Sequence, residues 1–169
     1  MDNNKKIAII GCGNLGLSIA NGLLSTEGFD GKRLIVTKRH PESLFYLKSR
    51  GVTVLADNKE AVRDADFVIL GVKPYNIQPI LQEIKPFLEK DKQVIASLAA
   101  GITLQAIKAE LEPGTSVFRV MPNIAADIKE SITCICGDDF NTETENTVKE
   151  IFNSVGISIT IEEHLMEAA

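Results

Sequence analysis

Short apolar runs alternate with amphipathic stretches along nearly the whole chain. Eight such runs predict β-strands: Ile7–Ile10, Leu34–Thr37, Val52–Leu55, Phe67–Val72, Val94–Leu98, Ser116–Met121, Ile132–Cys136 and Ile157–Ile161. The stretches between them carry apolar residues at helical spacing, as Ile77, Ile80, Leu81 and Ile84 do. Continuous apolar strands separated by helices are typical of a parallel sheet covered on both faces. We therefore predict an α/β fold with a doubly wound, mostly parallel sheet of about eight strands.

Several predicted helices begin at residues that suit helix termini. Asn58 and Thr103 are predicted N-caps, because short polar side chains accept hydrogen bonds from the first free N–H groups of a helix. Thr142 and Glu145 are predicted to form a capping box. The residues from His164 to Ala169 have the pattern of one more helix that is only beginning.

Length and charge narrow the possible functions. The chain has 169 residues, which suits a single domain. Its 18 Lys and Arg against 23 Asp and Glu give a formal charge of −5. A non-specific nucleic-acid binder needs a net basic face, so nucleic acid is not an expected partner.

The cysteines predict neither disulfides nor a metal site. Three cysteines are few and odd in number, which argues against a disulfide framework and fits a reducing cytosol. Cys12 is interpreted as a small filler residue. We expect Cys134 and Cys136 to point to opposite faces of their strand, so that they do not share a metal, and we predict no metal site.

The N-terminal region imitates two membrane signals. The stretch from Ile7 to Thr26 has no formal charge and the length of a membrane span, but it contains four glycines and several polar residues. Lys5 and Lys6 precede an apolar run of only four residues, too short for a signal peptide, which needs roughly 7–15. We therefore predict a cytoplasmic protein with no membrane span and no targeting segment.

A glycine-rich turn follows the first predicted strand. Gly11-Cys12-Gly13-Asn14-Leu15-Gly16 has the pattern G-x-G-x-x-G and opens a helix. Gly11 permits a tight turn, Gly13 lets a pyrophosphate approach the backbone, and Gly16 lets the helix lie close to the strand. The free N–H groups at the start of the helix favour phosphate. The motif in this position predicts dinucleotide binding and a Rossmann-type fold.

The end of the second predicted strand indicates which dinucleotide is bound. An NAD site usually has Asp or Glu there, about 20 residues beyond the motif. In this chain Thr37 stands there, followed by Lys38 and Arg39, which suit the 2′-phosphate of NADP. We predict NADP(H), with NAD(H) the less favoured cofactor. The alternative is a basic exposed turn that binds nothing.

Further motifs run in order along the whole chain. They are Ile9–Gly16, Asp57–Asn58, Glu60–Val62, Asp66, Val72–Pro74, Ser97–Ile102, Arg119–Asn123, Ser154–Gly156, Glu162–Glu163 and Leu165. Together they resemble the pyrroline-5-carboxylate reductase family. One loop departs from the family, which usually has Thr-Pro-Ala where this chain has Ile124-Ala125-Ala126.

The resemblance implies a reductase of proline biosynthesis. Members transfer a hydride from NADPH to the C=N carbon of 1-pyrroline-5-carboxylate, which gives L-proline. Residues 1–161 then form the NADP-binding Rossmann domain. Residues 162–169 begin a helix that leads to a C-terminal helical domain absent from this sequence. In the family that domain forms the dimer, so we expect a homo-oligomer where it is present.

The candidate cofactor-binding residues lie where strands end, since ligands of doubly wound sheets bind at the carboxyl ends of strands. They are Gly11, Cys12, Gly13, Asn14, Leu15, Gly16, Thr37, Lys38, Arg39, Asn58, Val72, Lys73, Pro74, Ala99, Ala100 and Asn123. Lys73 is the one cation placed near the reacting end, and Asn123 is a candidate for orienting the nicotinamide amide. No catalytic residue is assigned.

Three functions remain open. They are the pyrroline-5-carboxylate reductase, a reductase of another imine or carbonyl compound, and an NADP-binding module without catalysis. We expect the 169-residue chain to fold and to bind the dinucleotide with little or no turnover. We also expect the segment from His164 to be poorly ordered or packed on a neighbouring molecule.

Overall fold

One eight-stranded sheet forms the centre of the protein. The computed structural model describes residues 4–89, 91–137 and 142–167. The strands are β1 (Ile7–Ile10), β2 (Leu34–Thr37), β3 (Thr53–Leu55), β4 (Phe67–Leu70), β5 (Val94–Ser97), β6 (Ser116–Met121), β7 (Ser131–Gly137) and β8 (Gly156–Thr160). Their order across the sheet is β3-β2-β1-β4-β5-β6-β7-β8. Every neighbouring pair is parallel except β6 and β7. The predicted doubly wound, mostly parallel α/β fold is confirmed.

Helices connect the strands. The α-helices are α1 (Asn14–Ser25), α2 (Asn58–Arg63), α3 (Pro74–Ile84), α4 (Leu104–Ala109) and α5 (Thr142–Phe152). Shorter 3₁₀ segments lie at Gly31–Arg33, Pro41–Arg50, Lys85–Phe87, Ile124–Ile128, Asn153–Val155 and Glu163–Leu165. The chain runs outward from β1 to β3 and returns to pair β4 with the other side of β1. This reversal opens a crevice at the carboxyl ends of β1 and β4, where such folds bind ligands.

The core has two layers, one on each face of the sheet. Successive strand residues point to opposite faces, so Ile9 packs with α1 and α5, whereas Ile10 packs with α2, α3 and α4. The same rule corrects the expectation for the cysteines. Cys134 and Cys136 are two residues apart and therefore share a face, and both belong to the second layer. Both are buried and free of disulfides.

One of the predicted helix caps differs from the structure. The N-cap of α2 is Asp57, whose carboxylate accepts from the backbone N–H of Lys59 at 2.8 Å, so the prediction of Asn58 as the cap is wrong. The cap of α4 is confirmed, since the Thr103 hydroxyl accepts from the Ala106 N–H. Helix α5 begins at Thr142, but that side chain lies outside the described residues.

Glu145, the other half of the predicted capping box, serves a different purpose. Its carboxylate accepts from the Thr160 hydroxyl at 2.6 Å and pairs with Lys149 at 2.7 Å. The hydrogen bonds from Lys149 and Thr160 lower the pKa of Glu145. Glu145 therefore links α5 to β8. The predicted contact with Thr142 lies outside the described residues.

The segment after β8 is tied to the sheet by a buried arginine. Arg119 on β6 is 2% exposed, and its Nη1 donates to Glu163 Oε1 at 2.9 Å. The same oxygen accepts from the backbone N–H of Leu104, the first residue of α4, at 2.7 Å. Met166 is fully buried in the second core layer. The expectation of a poorly ordered segment is therefore wrong as far as residue 167, because the charge of Arg119 requires a partner there.

Replacing Glu163 with Ala should destabilise the fold by about 2–3 kcal/mol, since it leaves a buried guanidinium with less compensation. Urea unfolding at neutral pH measures this change. Glu162→Ala is the matched control. That carboxylate is exposed and pairs with the exposed His164, so a change within about 0.5 kcal/mol is expected. Equal changes in the two variants would contradict the role given to Glu163.

Candidate functional site

The glycine-rich turn lies in the crevice between β1 and β4. Gly11 has a φ of +77°, a conformation that L side chains rarely adopt. A Cβ on Gly13 would meet no atom within 4 Å, so its backbone is open to a ligand. A Cβ on Gly16 would lie 3.1 Å from the Cγ2 of Ile9, because α1 packs closely on β1. The geometry matches the three roles expected of these glycines.

The start of α1 is left open for an anion. Its N-cap is Gly13, which has no side chain to accept from the free N–H groups of the first turn. These N–H groups, with the positive end of the helix dipole, attract phosphate. Asn14 and Leu15 therefore contribute backbone donors at the centre of the crevice.

Thr37, at the end of β2, is hydrogen-bonded to the glycine-rich turn. Its hydroxyl accepts from the Gly11 N–H at 3.1 Å, and its carbonyl accepts from the Cys12 N–H at 2.7 Å. The same hydroxyl donates to Asn58 Oδ1 at 2.7 Å. Thr37 is 1% exposed, and its hydroxyl proton is already donated to Asn58. In this arrangement Thr37 supports the turn and has no proton left to donate to a phosphate.

A first cavity of about 580 Å³ opens above β1, β2 and the start of α2. It contains six of the predicted residues: Gly11, Thr37, Lys38, Arg39, Asn58 and Val72. Among the described residues Arg39 has no carboxylate within ion-pair distance, and Lys38 donates only to Ser43 Oγ at 3.1 Å. Both cations are available to a ligand in this cavity.

One wall of this cavity was not predicted from the sequence. It comes from α3, which contributes Asn76, Pro79, Ile80 and Glu83. These residues recur every three or four positions and so form one face of the helix. The buried face of α3, with Ile77, Leu81 and Ile84, was readable from the sequence. The sequence analysis did not identify the neighbouring face of α3, which lines the cavity.

A second cavity, of about 510 Å³, lies on the other side of the turn. It brings together Gly13, Asn14 and Leu15 with the ends of β4 and β5, namely Gly71, Val72, Lys73, Pro74, Leu98, Ala99 and Ala100. Val72 lines both cavities, so they adjoin. Lys73 is exposed at the start of α3 and makes no ion pair with the described residues. The predicted residues at these strand ends are brought together as expected.

A third cavity, of about 540 Å³, lies between α1 and the loop after β6. Its lining is Asn14, Leu15, Leu17, Ser18, Pro122, Asn123, Ile124, Ala126 and Asp127. Asn123 Oδ1 accepts from the Ala125 N–H at 3.0 Å, which leaves its NH₂ group for another partner. The Ser18 hydroxyl donates to Asn14 O at 3.0 Å and lies 3.3 Å from Asp127 Oδ1. Ile124 is 97% exposed at the mouth of the cavity.

Cys12 and Gly16 line none of these three cavities. The Cys12 side chain is fully buried, and burial raises the pKa of its thiol to about 11, with Lys38 opposing the rise. A thiol with so high a pKa is almost entirely protonated at neutral pH and is a poor nucleophile. Cys12 therefore contributes backbone to the turn, and Gly16 contributes close packing.

Residues 6–101 match the protein family described as NADP oxidoreductase, coenzyme F420-dependent. This match covers more than half of the chain, including the turn and the first two cavities. The chain belongs to this family. Within the described residues, no helix has both the length and the apolar character needed to cross a bilayer, and no group of three or more potential metal ligands is close enough to hold an ion.

Individual relatives of the chain carry the name expected from the sequence motifs. The whole chain is 35% identical to "Pyrroline-5-carboxylate reductase 2" of Dictyostelium discoideum and covers 62% of it. A pyrroline-5-carboxylate reductase structure from Coxiella burnetii superimposes on 97% of the chain with a TM-score of 0.91 at 30% identity, and 62% of that chain is covered. The resemblance stated from the motifs is confirmed. The chain spans about three fifths of the length of these relatives.

A Plasmodium falciparum pyrroline carboxylate reductase, solved with NADP bound, has the same fold. It superimposes on 97% of this chain with a TM-score of 0.85, at 23% identity, and 60% of that chain is covered. At this identity the likeness concerns the fold alone. The fold is therefore common to proteins that have diverged widely in sequence.

Gly13→Ala should separate binding from folding. The new methyl meets open space and a backbone φ of −82°, so the loss of stability should stay below about 1 kcal/mol. The methyl should nevertheless weaken NADPH binding by about tenfold or more, because a pyrophosphate must approach that backbone. Fluorescence titration measures the affinity.

Gly22→Ala, in the middle of α1, should do the opposite. Its Cβ would lie 2.6 Å from the Ser154 carbonyl oxygen, so the variant should lose about 1–3 kcal/mol of stability by overpacking. It should bind NADPH normally under conditions in which it is folded. Unchanged NADPH affinity in Gly13→Ala would contradict the phosphate site.

Proposed function

We propose that this chain is the cofactor-binding domain of a reductase that converts 1-pyrroline-5-carboxylate to L-proline with NADPH. The observation that carries the proposal is the 35% identity over the whole chain to a relative named for this activity. The three adjoining cavities at the carboxyl ends of the strands support it, because an extended dinucleotide with a neighbouring substrate needs a continuous crevice.

The residues fit a dinucleotide phosphate. The open backbone at Gly13 and the uncapped start of α1 suit the pyrophosphate. Lys38 and Arg39 in the first cavity suit a second phosphate on the adenosine ribose, since Arg binds phosphate with two parallel hydrogen bonds. We therefore favour NADP(H) over NAD(H).

NADPH, when bound, supplies the hydride. The chain's own residues bind and orient the cofactor and the substrate. Lys73 lies at the junction of β4 and α3 in the second cavity, where its ammonium group suits a ribose hydroxyl or a substrate carboxylate. Among the described residues the NH₂ group of Asn123 has no hydrogen-bond partner, so in the third cavity it suits a carboxamide oxygen. The second and third cavities share Asn14 and Leu15, so the cavity that contains Lys73 adjoins the cavity that contains Asn123.

A second candidate is a reductase of another imine or of a carbonyl compound. The observation that favours it is the loop at Ile124-Ala125-Ala126, which lines the third cavity and departs from the usual Thr-Pro-Ala. The apolar side chain of Ile124 replaces a hydroxyl at that point. An NADP-binding module without catalysis is the third candidate.

The proposal extends to the organisation of the natural protein. Residues 1–161 form the NADP-binding domain, and residues 162–169 lead towards a helical domain that completes the substrate site and joins two subunits. The exposed Ile124 and Ile128 support this, because they present apolar side chains to solvent beside the third cavity. The substrate is a small imine, the location is the cytoplasm, and nucleic acid is not a partner.

Arg39→Ala should weaken NADPH binding by about 10- to 100-fold, because one charge-assisted phosphate contact contributes roughly 1.5–3 kcal/mol. NADH affinity should change by less than about threefold. Lys32→Ala is the matched control, since Lys32 is exposed and lines none of the three cavities. Fluorescence titration of both cofactors gives the two affinities. Equal losses for NADPH and NADH would remove the basis for assigning NADP.

The activity itself is tested by NADPH oxidation with 1-pyrroline-5-carboxylate. The 169-residue chain should bind NADPH and show little or no turnover, because hydride transfer needs walls that exclude water and hold the substrate close. A longer natural form should produce L-proline. Full activity of the 169-residue chain would refute the proposal that a further helical domain completes the substrate site. Turnover of a different imine or carbonyl compound would support the second candidate, and tight binding without any turnover the third.

A further inference from the structure

The first cavity contains a carboxylate that the sequence did not reveal. The end of β2 carries Thr37, Lys38 and Arg39 in place of an acidic residue, but Glu83 on α3 lines the same cavity as Lys38 and Arg39. Helix α3 is anchored in the core by Ile77 and Leu81, which fixes the place from which Glu83 reaches the cavity. The pocket therefore carries two cations on one wall and an anion on another.

A directed chain of hydrogen bonds holds Glu83 in place. The Gly11 N–H donates to the Thr37 hydroxyl, which donates to Asn58 Oδ1. The Asn58 NH₂ group then donates to Glu83 Oε2 at 3.3 Å. A carboxylate only accepts, so Glu83 fixes the Asn58 amide with its oxygen towards Thr37. This series of hydrogen bonds starts at the glycine-rich turn and ends at the Glu83 carboxylate.

The charges on the two walls act in opposite directions on a 2′-phosphate. Such a group carries close to two negative charges at neutral pH, is attracted by Lys38 and Arg39, and is repelled by Glu83. A ribose 2′-hydroxyl is instead a donor, which a carboxylate accepts. Glu83 therefore disfavours the 2′-phosphate that Lys38 and Arg39 favour.

We infer that Glu83 is a specificity-determining residue of the cofactor pocket that reduces the preference for a 2′-phosphate over a 2′-hydroxyl. The inference rests on the proposed binding of an adenine dinucleotide. It assigns to α3 a part in cofactor choice that is usually looked for at the end of β2.

The test uses two ligands that differ only at the ribose 2′ position, adenosine 2′,5′-bisphosphate and 5′-AMP. Calorimetric titration of the full 169-residue chain gives both affinities. Glu83→Gln keeps the size of the side chain and removes its charge. It should bind the bisphosphate about three- to tenfold more tightly. The affinity for 5′-AMP should stay the same within about twofold or become weaker, as expected when an acceptor for the ribose is lost.

Glu110→Gln is the matched control. It removes one negative charge from a residue that accepts from Gln78 and Gln82 on another face of α3 and lines a different groove. It should leave the ratio of the two affinities within about twofold of the original. The shift caused by Glu83→Gln should also shrink at high salt, because it arises from charge.

Each outcome decides between distinct explanations. A parallel loss of affinity for both ligands in Glu83→Gln would show a merely structural role through Asn58 and would overturn the inference. An unchanged ratio of affinities would overturn it as well. Failure of the original chain to bind either ligand would refute the proposed cofactor site itself, and is distinguishable because it appears before any substitution is made.

Discussion

The junction between β1 and α1 is the constraint on which the rest of the site depends. The backbone must leave the sheet, turn sharply and start a helix within a few residues, in contact with the end of β4. A Cβ on Gly71 would lie 3.0 Å from the Gly11 carbonyl oxygen, and a Cβ on Gly11 would overlap the Val72 side chain. Only residues without side chains allow the two strand ends to approach this closely. The same absence of side chains leaves the backbone N–H groups open.

Distant parts of the chain meet at this junction because of the order of the strands. The reversal between β1 and β4 places the ends of β2, β4 and β5 around one turn. Thr37 secures it from one side with two hydrogen bonds, and Val72 closes it from the other. The cavities on either side of Val72 are therefore two parts of one crevice.

Much of the fold was predictable because its strands are buried on both faces. Such strands appear as continuous apolar runs, and all eight were found within two residues of their ends. The turn and the strand-end residues followed from the rule that parallel strands carry ligands at their carboxyl ends. The number of strands and the residues at the strand ends could therefore be predicted from local patterns.

The remaining features depend on contacts between residues far apart in sequence. The hydroxyl of Thr37 is engaged by Asn58, 21 residues away, and no local pattern reports that. The cavity face of α3 combines the polar Asn76 and Glu83 with Pro79 and Ile80, so only its apolar residues at helical spacing were recognisable. The cysteine expectation failed for a simpler reason, because residues two apart in a strand share a face. Asp57 displaced Asn58 as a cap because a carboxylate at that position is an equally good acceptor.

The pairing of Arg119 with Glu163 has a consequence for synthesis on the ribosome. The two residues are 44 positions apart, and the arginine emerges first. The pairings among β1, β2, β3, β4 and β5 all lie before β6 in the sequence and do not involve this arginine. Burying the guanidinium before its carboxylate has been made would cost several kcal/mol. The guanidinium can therefore be buried together with its carboxylate only after the residues beyond β8 have been made.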